Sequence, residues 1–523
     1  MLKNSERAQP AEMELVSSLP SVAIILLTAL GILLWAKTSN SKRKLPPGPP
    51  GWPVFGHMFN LGSDPHITTA KLKEKYGPVI WLRIGSMNTM MILNAKAAAE
   101  FFKNHDISFA DRNIVETMRS HNYNESSLVL APYGSFWRML RRLCTVEMFT
   151  QKKINETEHV RRKCIDDMLL WIEDEANNIK EEGGGIQVTR FIFLAGFNMV
   201  GNLMLSRNLV DPKSKKASDF YTAMMGVSEW TGKPNISDLF GFVKPFDLQG
   251  LKRKIDRDMG KALEIASAFV KERMNGQKEG QEKKKDFLDV LIEFEGNGKD
   301  EPDKLSEHDI NVFILEIFLA GSETTSSSAE WVLTELLRHP EEMTKVQAEI
   351  DKIVEVGKKL EEKDIDRLPY LQAVVKEGLR LHPPLPFLIP RRATCDTNFM
   401  GYQIPKNTQV LVNVWAIGRD PDCWDDPMSF KPQRFIGSKV DYKGQHFEYI
   451  PFGAGRRMCV GIPLGHRMLH FVLGSLLHEF DWELDGSIKG KPIDMRDRVG
   501  STMRKFVPLR AVPRKRIEQS LTQ

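Results

Sequence analysis

Pro451-Phe452-Gly453-Ala454-Gly455-Arg456-Arg457-Met458-Cys459-Val460-Gly461 sets one cysteine in a glycine-rich loop, close behind an arginine pair. A helix-forming run, Leu464 to His478, follows. Backbone N–H groups freed by Gly453, Gly455 and Gly461 can point at a sulfur. The N-terminal end of the following helix favours negative charge at the same place. Most free cysteines are buried structural thiols. Such a thiol has no need of three glycines and two arginines, so the loop reads as a thiolate site.

Phe452-x-x-Gly455-x-Arg457-x-Cys459-x-Gly461 resembles the haem-binding loop of the cytochrome P450 superfamily, the haem-thiolate monooxygenases. The resemblance implies haem b as cofactor, with the Cys459 thiolate as axial iron ligand, pushing electron density that favours O–O cleavage. It further implies that Phe452 packs against the ligand loop and that Arg457 pairs with a haem propionate.

Other motifs carry the same resemblance, in the family's order. Phe136 to Phe149 reads as a helix with Trp137 and Arg141 at i, i+4. Taken alone, this is an ordinary surface pair with a half-buried tryptophan. Beside the cysteine loop it resembles the helix whose indole N–H and guanidinium meet a propionate, a carboxylate suited to arginine's rigid fork. Ser306 to Arg338 reads as one long helix, and Ala320-Gly321-Ser322-Glu323-Thr324-Thr325 lies in its middle. Glycine lowers helix propensity, and Ser and Thr compete for backbone carbonyls. The stretch is therefore either a tolerated polar patch or a local opening that admits water or ligand. By resemblance it is a groove over the distal haem face. Glu323 and Thr324 then look like the acid–alcohol pair that delivers protons to dioxygen, and Ala320 and Gly321 leave room for it.

Glu377 and Arg380 stand at i, i+3 in a helix from Leu371 to Leu381, which His382-Pro383-Pro384 stops. They resemble the family's buried pair, joined by Arg434 of Lys431-Pro432-Gln433-Arg434-Phe435; Gln433 replaces the usual glutamate. Arg391 matches a position that often meets the second propionate. The resemblance implies a mainly α fold with smaller β-sheets. Its single catalytic domain holds haem between the long central helix and the cysteine loop, and an N-terminal transmembrane helix precedes it.

The 523 residues carry a formal net charge of +5, which gives no argument for nucleic-acid binding. Hydrophobic residues make up 41% and charged ones 27%, as in globular chains. The five cysteines, Cys144, Cys164, Cys395, Cys423 and Cys459, show neither a disulfide framework nor zinc spacing, which fits a reducing compartment. Residues 15–36 are uncharged and long enough to cross a bilayer of roughly 30 Å. A signal peptide's apolar part is usually only about 7–15 residues. Lys37, Lys42, Arg43 and Lys44 follow the run, so the positive-inside rule puts the C-terminal bulk in the cytosol. The expected organisation is a lumenal tail at 1–14, an anchor at 15–36, a basic and proline-rich hinge at 37–51, and the catalytic domain at 52–523. The hinge prolines make a stiff spacer. Asn124, Asn155 and Asn235 head glycosylation sequons that stay unused on the cytosolic side.

Elsewhere, Val79 to Ile84 and Thr89 to Leu93 read as strands about a turn at Gly85-Ser86, and Ala95 to Asn104 as a helix capped by Asn94. Asp106 to Pro132 is polar and irregular, and by resemblance caps the substrate pocket. Strands are expected at 388–395, 399–404 and 409–414. A terminal hairpin is expected at 494–508, with Gly500-Ser501-Thr502 at its tip.

The resemblance implies a single-pass endoplasmic-reticulum enzyme with a monomeric catalytic domain in the cytosol. It takes electrons from a membrane-bound NADPH–cytochrome P450 reductase and inserts one oxygen atom of O2 into a small apolar molecule. Arg456, His466 and Arg467 are the expected basic contacts for that reductase. Gly232-Lys233-Pro234-Asn235-Ile236-Ser237-Asp238 and Leu476-Leu477-His478-Glu479-Phe480-Asp481-Trp482 resemble the plant branch that includes geraniol hydroxylases and iridoid oxidases. The implied substrate is a monoterpenoid or iridoid, met by apolar Phe313, Ile317, Leu385, Phe387 and Leu388, and hydroxylated or oxidised successively at one carbon. The alternative is a haem-thiolate oxidase of another plant metabolite (alkaloid, phenolic or other terpenoid), including phenol coupling without oxygen insertion. A haem protein without turnover is a third possibility. Ala320 to Thr325 contains no histidine or methionine to fill a sixth axial position, which counts against it.

Overall fold

Glu307–Arg338 forms one uninterrupted helix through the centre of the molecule. Ser306 caps it: the hydroxyl accepts from the Asp309 N–H at 3.1 Å, and the Asp309 carboxylate accepts from the Ser306 N–H at 3.0 Å. This reciprocal box satisfies two donors that the first turn would leave orphaned. His339 before Pro340 ends the helix, because a residue preceding proline is pushed out of the α region.

The computed structural model describes residues 44–179, 184–214, 218–275, 286–355, 357–486 and 491–516, with Leu27 and Leu30. The expected lumenal tail, the expected anchor apart from those two leucines, and the expected hinge before Lys44 lie outside the described residues. From Lys44 the proline-rich stretch is extended and laid against the domain. Pro47 O accepts from the Trp81 N–H at 2.8 Å, and a Cβ at Gly48 would stand 2.1 Å from Trp81 O.

Around the long helix pack Glu158–Ile179, Val188–Leu205, Leu251–Asn275, Pro369–Leu381 and Ile462–Glu479. Val188–Leu205 has a mean hydropathy of 1.4 and is apolar enough to cross a membrane, yet 72% of it is buried inside the protein, so it is a core helix. Gly321 lets it come close: a Cβ there would meet Val200 Cγ2 at 3.1 Å.

A five-stranded sheet runs in the order Val79–Ile84, Met87–Ile92, Gln409–Val412, Arg391–Arg392, Asp111–Arg112. Met87–Ile92 and Gln409–Val412 are parallel, in the register Thr89↔Gln409, and the other pairs are antiparallel. The terminal hairpin pairs Asp497–Arg498 with Arg504–Lys505, in keeping with its turn residues. It docks on the long helix, where the Ser327 hydroxyl donates to Met503 O at 2.8 Å.

Glu377 and Arg380 are fully buried in Pro369–Leu381, joined by paired bonds of 2.7 and 2.8 Å. Arg434 Nε adds a bond to Glu377 at 3.0 Å. Gln433 reaches Glu342 and the Tyr370 hydroxyl instead, so this triad closes without the missing glutamate.

Candidate active site

The cysteine loop is built by two tight turns. Gly453 (φ +72°) and Gly455 (φ +69°) adopt backbone angles that side chains disfavour. The Gly453 N–H donates to Ile450 O at 2.9 Å, and the Cys459 N–H to Phe452 O at 3.0 Å. Only one of the three expected glycines therefore serves the sulfur directly. The Gly461 and Ile462 N–H groups reach it, at the start of Ile462–Glu479. Gly455 instead makes room for a carboxylate, since a Cβ there would stand 2.6 Å from Asp106 Oδ1. Buried Asp106 accepts from the Arg456 N–H at 2.9 Å and from Arg391 Nη1 at 2.8 Å, fastening the loop to the sheet. Reading along the chain missed Asp106, since its partners lie hundreds of residues away.

Cys459 has accessible surface although it lies deep in the fold, because that surface faces an internal cavity. Burial pushes its thiol pKa up. The Gly461 and Ile462 N–H groups and the Arg141 guanidinium pull it back in part.

The cavity leaves about 280 Å³ open to the centre of a water-sized sphere. Cys459, Phe452, Arg457 and Gly461 of the cysteine loop line it, together with Glu316, Ile317, Ala320, Gly321, Thr324 and Thr325 of the long helix. Leu385, Phe387 and Leu388 contribute apolar wall, as expected. Phe313 does not: it is buried beside Phe287, ring centroids 5.6 Å apart. Helical spacing put it on the right side of the helix, but core packing takes it.

Arg112, Arg141, Arg391 and Arg457 converge on this cavity. Burial, then mutual repulsion with Arg391 and others, lowers the Arg457 pKa to about 10. Arg112 is held well below its ordinary value by burial and by Arg391 and Arg457. Arg457 donates to Ala110 O (3.0 Å) and Ala131 O (2.6 Å), while its Nη1 is buried without a partner. Its guanidinium lies over the Trp137 ring at 4.3 Å, and that of Arg141 approaches the same ring at 5.6 Å. Trp137 donates its indole N–H to Leu128 O at 2.8 Å. Arg391 also reaches Ala454 O at 3.2 Å. Buried cations in excess of their carboxylates, one with an orphaned donor, call for a multiply anionic group. A thiol on the same wall can serve a metal as a ligand. Haem fits both.

The long helix shows no local opening at its weak stretch. The Thr324 and Thr325 hydroxyls turn back onto Ala320 O (2.8 Å) and Gly321 O (3.1 Å). Thr324 lines the cavity. Glu323 is buried and turned aside: it accepts from Ser228, from Ser501 at 3.0 Å and from Arg504 Nε at 2.8 Å. The hairpin tip thus meets Glu323 rather than the cavity itself.

Four further acids and bases are engaged in local contacts. His466 is bonded to the Tyr442 hydroxyl and its pKa is lowered to about 4, chiefly by burial, so it gives no positive charge at neutral pH. Arg467 pairs with Asp366 at 3.0 Å and Arg456 with Asp106 at 3.1 Å. Glu316, overlooked in the sequence, is a lone acid in the apolar run Ile314-Leu315-Glu316-Ile317-Phe318. It lies in the cavity wall and accepts from Ser127 Oγ, from the Leu128 N–H (2.6 Å) and from the Val129 N–H (3.0 Å).

A family model described as Cytochrome P450 matches residues 46–507. Cytochrome P450 76A2 of Solanum melongena is 62% identical over 494 residues, covering 94% of this chain and 98% of the relative. Iridoid oxidase of Catharanthus roseus is 52% identical over 494 residues, covering 94% of this chain and 96% of the relative. Geraniol 8-hydroxylase of Swertia mussotii is 39% identical over 474 residues, covering 91% and 94%. Among solved structures, a zebra fish cytochrome P450 with progesterone superposes with a TM-score of 0.71 at 26% identity. The match covers 86% of this chain and 99% of that one.

Proposed function

Because this chain belongs to the cytochrome P450 family and is a haem-thiolate monooxygenase, we propose that its substrate is a monoterpenoid or iridoid. In that reading the substrate is hydroxylated, or oxidised successively, at one carbon. Members of the family bind haem through a thiolate and draw electrons from a reductase. The reading assigns Cys459 as the axial ligand of haem b, with Trp137, Arg141, Arg391 and Arg457 around the propionates and Phe452 against the ligand loop. Anchorage through residues 15–36 in the endoplasmic-reticulum membrane, and electron supply by NADPH–cytochrome P450 reductase, belong to the same reading. So does the division into tail, hinge and cytosolic domain.

The bound group supplies activation of O2 with two electrons from NADPH. The chain's own residues do the rest. Gly461, Ile462 and Arg141 stabilise negative charge on Cys459, which its burial opposes. The arginines would offset the charge of two carboxylates, which their rigid forks match. Thr324 holds a hydroxyl at the cavity wall, where it can pass a proton to an oxygen of the reacting group. Glu323 stands one residue away as proton source, and reaching the cavity requires it to leave Ser228, Ser501 and Arg504. Ile317, Leu385, Phe387 and Leu388 bury an apolar skeleton.

The observation that carries the reading is one cavity whose wall holds Cys459, four arginines and a set of aliphatic side chains together. The test is incubation of membranes containing the enzyme with reductase, NADPH and either geraniol or nepetalactol. An alcohol one oxygen atom heavier, or the aldehyde or acid from further oxidation of the same carbon, is expected; no product from either overturns the monoterpenoid reading. A reduced–CO spectrum lacking the Soret band of thiolate-ligated haem, in folded protein, overturns the role of Cys459.

A further inference from the structure

Tyr442 packs beside the cysteine loop, outside the cavity. Its ring meets that of Phe452 at 5.1 Å between centroids. Phe452 lines the cavity with Cys459, and the Cys459 N–H donates to Phe452 O at 3.0 Å. The Tyr442 hydroxyl is bonded to His466 Nδ1. Tyr442 is buried and His466 half-buried. Lys443, next to Tyr442, and Pro463, one turn before His466, are exposed. Phe452, Tyr442 and His466 therefore run in contact from the cavity wall to just beneath the surface.

The pair differs in kind from the phenols nearest to it. Burial, then Asp441, push the Tyr442 pKa up, so the residue is a phenol rather than a phenolate at neutral pH. His466 is uncharged there, its pKa lowered to about 4 by burial and by Arg467. A neutral imidazole accepts a proton. The phenol proton can thus cross one hydrogen bond as an electron leaves the ring, which spares a buried site the cost of a cationic phenol. Tyr449 packs on Tyr442 at 6.1 Å, but its hydroxyl donates to Lys376 O at 2.8 Å, and a backbone carbonyl is too weak a base to keep the proton. Tyr133 packs on Trp137 at 5.5 Å, but its hydroxyl meets the Arg456 guanidinium, which only donates.

We propose that Tyr442 is a redox-active tyrosine that, with His466 as its proton acceptor, carries oxidising equivalents from the haem to a thiol reductant in solution when the cavity holds no substrate. This rests on the reading that places Cys459 and Phe452 against a haem. Tyr442 gives up one electron toward the haem, and its O–H bond breaks as the proton passes to His466 Nδ1. A thiol then returns the electron, and the proton goes back to the phenolic oxygen. Burial and Arg467 disfavour charged His466, so the proton is held only while the ring is oxidised. Two such passes consume the two oxidising equivalents of one hydroperoxide. Its O–O bond breaks, one oxygen leaving in an alcohol and the other in water. Two thiols supply the two electrons and two protons and join as one disulfide.

The test mixes the haem-loaded full chain, free of substrate, with cumene hydroperoxide and freezes it at once for electron paramagnetic resonance. The wild type is expected to show a neutral tyrosyl radical, whose hyperfine pattern narrows when the protein carries ring-deuterated tyrosine. Tyr442→Phe should lose this signal. His466→Gln should lose it as well, since the amide oxygen accepts the hydrogen bond but cannot take the proton. Tyr449→Phe and Tyr133→Phe should keep it. With glutathione added, the wild type should form one disulfide per hydroperoxide and keep its Soret band, while Tyr442→Phe should bleach. A wild type whose reduced–CO spectrum lacks the thiolate-haem band overturns the reading of Cys459 and this inference together. With that band present, four results each overturn the inference alone. They are no tyrosyl signal in the wild type, a signal that survives Tyr442→Phe or His466→Gln, a signal that either control variant also abolishes, and equal bleaching of the wild type and Tyr442→Phe.

Discussion

Glu323 and Thr324 are neighbours in one helix and face apart. Thr324 lines the cavity, while Glu323 is held by Ser228, Ser501 and Arg504 on the side where the terminal hairpin docks. Successive helical residues lie about 100° apart; Thr325 follows Thr324 onto the cavity wall, while Glu323, on the other side of Thr324, falls toward the hairpin. The acid is fixed to the hairpin tip, and the alcohol to its own helix through Ala320 O.

Thr324→Ala should lower product formation by at least about tenfold, at the low end of what a positioned proton donor contributes. NADPH consumption should fall much less, because electron entry does not involve this hydroxyl. The measurement is the ratio of product formed to NADPH consumed. A ratio equal to that of the wild type rejects the role of Thr324 in proton delivery.

Gly455→Ala should weaken the cysteine loop. The left-handed φ of +69° disfavours any side chain, and the new Cβ would press on Asp106 at 2.6 Å. Asp106 in turn holds Arg391 and Arg456. A cost of about 1–3 kcal/mol is expected from the backbone alone, with loss of haem on mild heating. Gly241→Ala is the control, since a Cβ there meets nothing within 4 Å and the residue lies away from the cavity. Equal haem retention in the two variants rejects the argument.

Arg380→Leu should be among the most damaging single changes away from the cavity. Arg380 and Glu377 are both fully buried, and Glu377 also receives Arg434 and the Lys431 N–H. Removing Arg380 leaves Glu377 with Arg434 as its remaining cation and takes the donor from the Gly418, Pro427 and Ser429 carbonyls; breaking a buried pair of this kind costs about 3–5 kcal/mol. The expected result is little or no folded, haem-containing protein. Normal yield with a thermal midpoint within a few degrees of the wild type contradicts this.

The parts legible in the sequence are those that local backbone chemistry decides. The capping box at Ser306, the prolines that stop helices, the hairpin tip at Gly500 and the strand pair about Gly85 all follow from a few adjacent residues. The cysteine loop was legible for the same reason. Asp106 was not, because its value lies in partners 285 and 350 positions away. Arg112 carries no signal in the sequence, because what sets it apart is Arg391 and Arg457 beside it in the fold. His466 looked like a surface base, and only burial and Tyr442 remove its charge. Phe313 shows the limit of periodicity: it gives a side of a helix, and a cavity occupies only part of a side.

Glu316 should make stability depend on pH in a direction opposite to that of most carboxylates. Burial pushes its pKa up to about 7, against the pull of Ser127, the Val129 and Leu128 N–H groups and Arg457; Arg112, Tyr123 and Cys144 also sense its charge. A raised folded pKa means that the folded protein binds the proton more tightly than the unfolded chain. The stabilisation is complete below the ordinary value near 4.5 and is lost as pH rises through about 7. Glu316→Gln carries no such titration. The stability of the wild type relative to this variant should therefore be higher at pH 5 than at pH 7.5, by about 2–3 kcal/mol. Thermal midpoints of both proteins at the two pH values measure this, and taking the difference between them cancels the other titrating groups. A gap that stays constant, or widens toward pH 7.5, means that the carboxyl is ionised throughout and that its hydrogen-bond donors and neighbouring cations outweigh its burial.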